Sequence, residues 1–182
     1  NVCEGLTYRG PDMKLATGLA ESWEELDDGK RIRFTLRQGV TFQNGEPFTA
    51  EAVKFTFDRL LGEEGGKGPQ QSNYTSIAEV QVIDDKTVDF ILKEPDPVLL
   101  TKLAGYGAMI IPPKYYAEVG DAEFGMTPIG TGPFKMTSYE PKVGVKLEAY
   151  PEYWGGAPKL SEVAYRFIPE PATAVAELQS GG

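Results

Sequence analysis

The sequence predicts a mixed α+β protein of the α/β class, and three observations support this prediction. Arg31–Arg37 reads R-I-R-F-T-L-R, and Thr87–Lys93 reads T-V-D-F-I-L-K, so both alternate between polar and apolar residues. That period of two is typical of half-buried antiparallel strands. Between them, Val53, Phe57, Leu60 and Leu61 recur at helical spacing after Thr49. A helix packed on antiparallel hairpins follows from these patterns.

The first unit is predicted from Glu21 to Gly62. Glu21–Leu26 alternates as a strand, and Asp27–Lys30 is a turn, because Asp bonds its own backbone and Gly accepts a positive φ. Arg31–Arg37 is the returning strand. Val40–Phe42 is predicted to continue the strand briefly, and Asn44–Gly45 is a tight turn. Thr49 is the predicted helix N-cap, and the helix ends at Gly62.

A second hairpin and several short elements follow. Gly62–Asn73 has almost no apolar residue and is predicted to be a flexible surface loop. Ile77–Ile83 and Thr87–Lys93 form the hairpin, with Asp84–Lys86 as its turn. A short helix is predicted at Val98–Leu103 and a brief buried strand at Met109–Ile111. Another short helix is predicted at Pro112–Val119.

The character of the sequence changes after Met126. Pro128–Phe134 is a bend rich in glycine and proline that leads into a strand, and Tyr153–Gly156 is an aromatic turn. Three strands are predicted here, at Phe134–Tyr139, Val143–Tyr150 and Val163–Ile168. A final helix is predicted at Ala172–Gln179.

Composition excludes several classes of function. The formal net charge is −9 with no basic patch, so nucleic acid and anionic membranes are poor partners. The sequence has no histidine, the commonest general base and metal ligand, and we expect neither a metal site nor a cofactor. Cys3 is the only cysteine, and we expect it to be a buried apolar residue rather than a lipid anchor, because no signal sequence precedes it. The chain opens directly on Asn1, so it could be a trimmed piece.

Motifs that could carry catalysis are weak. The carboxylates at Glu24–Glu25, Asp27–Asp28 and Asp84–Asp85 flank turns and should be solvated. Gly130–Pro133 lacks the Lys-Ser/Thr end of a phosphate loop and leads into a strand. No Gly-x-Ser-x-Gly elbow is present, and a Ser/His triad is impossible without histidine. The sequence therefore predicts a protein that is not an enzyme.

The run Leu19–Leu61 resembles the signature of one family almost residue for residue. The likeness continues through Val80–Val88, Gly130–Phe134, Pro151–Gly156 and Ala176–Gly181. These motifs are similar, in order and spacing, to extracytoplasmic solute-binding proteins of ABC importers, family 5, the oligopeptide- and dipeptide-binding group.

The resemblance implies a partial periplasmic-binding-protein-like fold of type II. By this likeness, residues 4–111 would be the extra domain of the oligopeptide-binding group. Residues 1–3 and 112–182 would be part of lobe I, and the second lobe would be absent. The implied function is capture of peptides outside the cytoplasmic membrane, in a periplasm or at the cell surface. The resemblance leaves open whether the full-length protein is free or carries a lipid anchor. We expect a monomer that delivers the peptide to ABC permease subunits.

The resemblance also implies where a ligand would be held. Tyr74 is similar to the tyrosine by which the extra domain reaches the cleft. Thr131 and Gly132 are expected near the cleft floor, and Cys3 and Glu4 beside the segment that contacts ligand. Two other interpretations stay open. Members of this fold also bind nickel complexes, haem, oligosaccharides or opine-like compounds, and a protein of this fold can act as a sensor that docks a receptor. Without a second lobe, we expect this chain alone to bind peptide weakly or not at all.

Overall fold

The computed structural model describes residues 1–63 and 69–181. Over these residues the chain is a mixed α/β protein with three antiparallel sheets. The first is a small hairpin of β1 (Thr7–Arg9) and β2 (Leu15–Thr17). The second and largest sheet consists of β3 (Ala20–Leu26), β4 (Arg31–Leu36), β5 (Ile77–Asp84) and β6 (Thr87–Leu92). Its strand order is β3-β4-β6-β5.

One face of the large sheet packs against helix α1 (Ala50–Leu61). Phe57 of α1 meets Phe90 of β6 edge-to-face, with ring centroids 4.8 Å apart, and Phe34 of β4 meets Phe90 at 5.1 Å. All three side chains are fully buried. The alternating apolar positions of the predicted hairpins therefore supply the core, and aromatic edge-to-face pairs add to its stability.

The opposite face of the same sheet carries a buried ion pair. Asp89 is fully buried, and the Nε and Nη2 atoms of Arg33 each donate to it at 2.7 Å. Arg31 Nη1 lies 3.5 Å from the same carboxylate. A buried carboxylate needs such bidentate partners to offset its lost hydration, and here they come from the strand that pairs with its own.

The rest of the chain lies beside this unit. It comprises α2 (Leu99–Leu103), α3 (Pro113–Met126), a third sheet in the order β7-β8-β9, and α4 (Pro171–Ser180). The third sheet's strands are Phe134–Glu140, Gly144–Ala149 and Glu162–Arg166. The buried residues of the main core all fall between Leu6 and Ile110 and include Leu99 and Leu103 of α2. Among the described residues, α3, the third sheet and α4 contribute no member to this core.

Gln43 fixes the bend before β7 to the first unit. Its side-chain amide donates to the carbonyls of Gly132 (2.9 Å) and Phe134 (2.8 Å), and its backbone N–H donates to the carbonyl of Gly130 (2.9 Å). Three hydrogen bonds from one residue bring the glycine-rich bend against the turn that precedes α1.

Most predicted elements are confirmed, but several differ. Val40–Phe42 is not a strand, since only an isolated bridge joins Thr41 to Pro47. Met109–Ile111 is not a strand, although Ile110 N–H donates to the Glu4 carbonyl at 2.9 Å, and a 3-10 turn at Tyr106–Ala108 precedes it. α3 runs on to Met126 instead of ending at Val119, because Gly120 takes a φ of 78° and a second helical stretch follows it.

The remaining differences concern helix ends and short strands. Thr49 occupies the N-cap of α1 but makes no side-chain capping bond. The hairpin β1–β2 was not predicted. The predicted loop Gly62–Asn73 ends in a 3-10 turn at Gln71–Tyr74, and its residues 64–68 lie outside the described part.

In the described residues, no helix combines the length and the apolar character that a membrane crossing needs.

We expect Phe57→Ala to lower the free energy of unfolding by about 3–5 kcal/mol, because it leaves a cavity between α1 and the sheet. Phe55→Ala on the same helix is the matched control: Phe55 is only half-buried and contacts Tyr116 at its edge. Denaturant unfolding at a common m-value measures both. Equal losses for the two variants would contradict this placement of the core.

Candidate binding cleft

A cleft of about 600 Å³ lies where the N-terminal segment passes between the first unit and the aromatic turn after β8. We call it the aromatic cleft. The side chains that line it mix aromatic, polar and charged groups, and include Cys3, Glu4, Tyr8, Thr17, Arg37, Met109, Pro133, Tyr153 and Trp154. Volume and lining are in the range of small-molecule sites in proteins.

The carboxylate of Glu4 organises one wall of the aromatic cleft. Tyr153 donates its phenol hydrogen to Glu4 Oε1 at 2.6 Å. Trp154 Nε1 and Thr131 Oγ1 both donate to Oε2, at 2.8 and 2.9 Å. Three donors from two separate segments thus meet on one carboxylate, and hydrogen bonds to a charged group are among the strongest that proteins make.

Close backbone approach fixes the N-terminal segment against the glycine-rich bend. Gly132 N–H donates to the carbonyl of Val2 (2.8 Å), and Phe134 N–H donates to that of Asn1 (3.1 Å). A Cβ atom at Gly130 would lie 2.1 Å from the Val2 carbonyl oxygen, and one at Gly132 would lie 2.4 Å from that of Asn1. Both positions therefore require glycine for steric reasons.

A stacked cation forms the neighbouring wall. The guanidinium carbon of Arg37 lies 4.5 Å from the centroid of the Trp154 ring. Its Nε donates to the carbonyl of Gly18 at 3.3 Å. Because Trp154 also donates to Glu4, the guanidinium, the indole and the carboxylate form one connected layer.

Burial shifts two titrating groups of the cleft. Desolvation raises the pKa of the Cys3 thiol to about 11, so the thiol is neutral at pH 7. Burial, with the adjacent Glu4 carboxylate, raises the pKa of Tyr153, so its phenol keeps the hydrogen that Glu4 accepts. At pH 7 these two groups are therefore present in their protonated forms.

Of the five site residues expected from the sequence, the structure brings four together. Cys3 and Glu4 line the cleft. Thr131 is fully buried behind Glu4, and Gly132 lies against the N-terminal backbone, so both support the wall from behind rather than form a floor.

Tyr74 lies elsewhere. Its side chain is 1% exposed, its ring packs edge-to-face on Phe57, and its hydroxyl donates to the carbonyl of Lys102 at 2.9 Å. The expected reach of Tyr74 into the cleft does not fit this placement, because the ring fills the core beneath α1.

Sequence reasoning did not select Arg37, Tyr153 or Trp154 as site residues. The two aromatic residues were assigned only to an aromatic turn. Two adjacent aromatic residues, Tyr153 and Trp154, directly before a Gly-Gly turn were a local signal for a site. Their hydrogen-bond partner Glu4 is about 150 residues away in sequence, so no local pattern shows that contact.

No three His, Cys, Asp or Glu side chains within residues 1–63 and 69–181 converge as metal ligands would.

We expect Glu4→Gln to lower the free energy of unfolding by about 1–3 kcal/mol, because the neutral amide accepts fewer and weaker bonds from the three donors, which are buried or half-buried. Glu152→Gln is the control: Glu152 is exposed and accepts only a 3.3 Å bond from Tyr150. Its effect should stay within about 0.5 kcal/mol. Chemical denaturation measures both, and a Glu4 variant as stable as the control would refute the role given to this carboxylate.

Comparisons with known proteins agree with this architecture. The sequence profile described as bacterial extracellular solute-binding proteins, family 5 Middle, matches residues 14–182. The glutathione-binding protein GsiB of Salmonella typhimurium is 35% identical over 179 residues, which is 98% of this chain and 35% of that protein. The chain therefore spans about a third of the length of the relatives it matches.

Two solved structures extend the comparison. AgaA from A. tumefaciens R10, in complex with agropinic acid, superposes with a TM-score of 0.91 at 32% identity, covering 99% of this chain and 36% of AgaA. The oligopeptide-binding protein AppA of Bacillus subtilis, in complex with a nonapeptide, gives 0.88 at 32% identity, with coverage of 99% and 36%. The partial, periplasmic-binding-protein-like α/β fold expected from the sequence is confirmed, and the chain belongs to the family 5 bacterial extracellular solute-binding proteins.

Proposed function

We propose that the gene product carrying this chain is the solute-binding component of an ABC importer. It captures a small peptide-class solute outside the cytoplasmic membrane and delivers it to the permease, without catalysis. The observation that carries the proposal is the aromatic cleft, whose wall is held by the three hydrogen bonds to Glu4.

The lining of the cleft suits a peptide. Aromatic faces at Tyr8, Tyr153 and Trp154 offer flat apolar surface, while Thr17 and Arg37 offer polar groups. Peptide amides need hydrogen-bond partners when they leave water, and their aliphatic parts need apolar contact. Among the relatives, GsiB is named for glutathione, which is a tripeptide, and AppA was solved with a nonapeptide.

The titrating groups of this chain are consistent with binding of a solute without catalysis. The sequence has no histidine, and the Cys3 thiol stays protonated at pH 7. The Glu4 carboxylate is already engaged by three donors, so it is poorly placed to take a proton from a ligand.

We assign the site roles as follows. Cys3 and the edge of Glu4 contact the solute from the N-terminal segment, and Thr131 and Gly132 hold that segment in place. We further propose that residues 4–111 form the extra domain of this group, and that 1–3 and 112–182 belong to lobe I. The extent of the main core, from Leu6 to Ile110, supports that division.

A second candidate is an opine-like acid in place of a peptide. AgaA, solved with agropinic acid, is similar to this chain over 99% of its length. The same cleft would then bind a single acidic metabolite rather than a set of peptides.

We expect the full-length gene product to bind reduced glutathione or trialanine with micromolar or tighter affinity, because a second wall would complete the half-open cleft. Isothermal titration calorimetry with each peptide, and with mannitol as a neutral control, measures this. Heat with mannitol alone, or with none of the probes, would refute the peptide assignment.

We expect Tyr74→Phe to lower the free energy of unfolding by about 1 kcal/mol, because the Lys102 carbonyl loses its donor. Peptide affinity should not change, since Tyr74 lies in the core and not in the cleft. Denaturation and the same titration measure the two quantities. A loss of affinity with unchanged stability would instead place Tyr74 at the ligand.

A further inference from the structure

Arg37 is the basic side chain among the residues that line the aromatic cleft. One of its five N–H groups, on Nε, donates to Gly18. In the described part of the chain, the four N–H groups on its two terminal nitrogens have no hydrogen-bond acceptor, and no carboxylate lies within ion-pair distance. Arg37 lines the cleft, so these donors are available to a ligand there, and the planar fork of a guanidinium matches a carboxylate or phosphate.

The guanidinium is also held in place. Its Nε bond to Gly18 and its stacking on Trp154 at 4.5 Å restrict it at two points. Trp154 is itself fixed by its 2.8 Å bond to Glu4. An arginine that is already immobilised loses little further rotamer freedom when it binds an anion.

Another stacked arginine of this chain shows the contrast. The Arg59 guanidinium carbon lies 4.7 Å from the Tyr116 ring centroid, similar to the spacing at Arg37. However, Arg59 Nε donates to the Tyr116 hydroxyl at 2.6 Å, and its Nη2 pairs with the Asp121 carboxylate. Within residues 1–63 and 69–181, a carboxylate pairs with Arg59, whereas none lies within ion-pair distance of Arg37.

The charge of the chain makes this difference informative. The 182 residues of this chain carry a formal net charge of −9, so they repel an acidic solute at long range. The Glu4 carboxylate beside the cleft adds to this repulsion, although its three donors partly neutralise it. An acidic solute therefore needs a local cation in the cleft.

We propose that Arg37 is an anion-binding residue that receives a carboxylate of the solute in a bidentate contact, with its plane resting on Trp154. This inference rests on the proposed function and adds the ligand class: a solute with a free carboxylate, such as an unmodified peptide or an opine-like acid. Amidation of that carboxylate removes the charge that the guanidinium binds.

The test compares acids with their amides in the full-length gene product. Reduced glutathione and trialanine are titrated as free acids and in fully amidated form, against wild type, Arg37→Gln and the matched control Arg59→Gln. We expect Arg37→Gln to weaken binding of the acids by about tenfold or more and to leave the amides within about twofold. Arg59→Gln should leave both unchanged.

The outcomes separate this inference from the proposed function. Arg37→Gln could weaken binding of the acids and of the amides by the same factor, or weaken binding of neither. In both cases Arg37 is a packing residue, and this inference is wrong while the proposed function stands. If wild type binds none of the four probes, the peptide assignment and the role of Arg37 in binding a peptide carboxylate are both wrong. Should thermal denaturation show Arg37→Gln unfolded, Arg37→Lys replaces it: we expect a reduced preference for acids because lysine lacks the planar fork, and an unchanged preference would overturn the proposal.

Discussion

The aromatic cleft depends on one carboxylate. Glu4 accepts hydrogen bonds from Thr131, Tyr153 and Trp154, which follow it by 127, 149 and 150 residues. These bonds hold the N-terminal segment against the glycine-rich bend and present the Trp154 ring to Arg37. The bend at Thr131 and the aromatic turn at Tyr153–Trp154 are thereby positioned relative to this group. A carboxylate suits the position because it accepts several donors at once.

The scaffold beneath the cleft is rigid for reasons that have nothing to do with a ligand. Phe34, Phe57 and Phe90 close the core between α1 and the large sheet, and the buried Asp89 joins two strands on the other face. Gln43 then ties the bend at Gly130–Phe134 to this unit. A binding group carried on such a scaffold keeps its geometry before the solute arrives, which limits the entropy lost on binding.

Local patterns predicted the parts of the fold that local physics determines. The period of two at Arg31–Arg37 and Thr87–Lys93 gave the central strands, and the family likeness directed attention to Cys3 and Glu4. The three-residue strands β1 and β2 were missed because alternation cannot be detected over so few residues. Tyr74 was assigned from the likeness alone, and burial against Phe57 placed it in the core. The Glu4–Trp154 contact and the Arg37 stack join residues far apart in sequence, so only the folded chain reveals them.

Hydrogen–deuterium exchange of the full-length gene product, with and without its tightest-binding peptide, tests most directly whether the solute occupies the wall built on Glu4. We expect peptide to slow exchange in three segments: residues 1–8, the Gly18 region and Tyr153–Trp154. Exchange in α1 and around Tyr74 should change little. Protection confined to the Tyr74 segment or to the third sheet, with residues 1–8 and 153–154 unaffected, would show that the solute is captured elsewhere and would contradict this assignment.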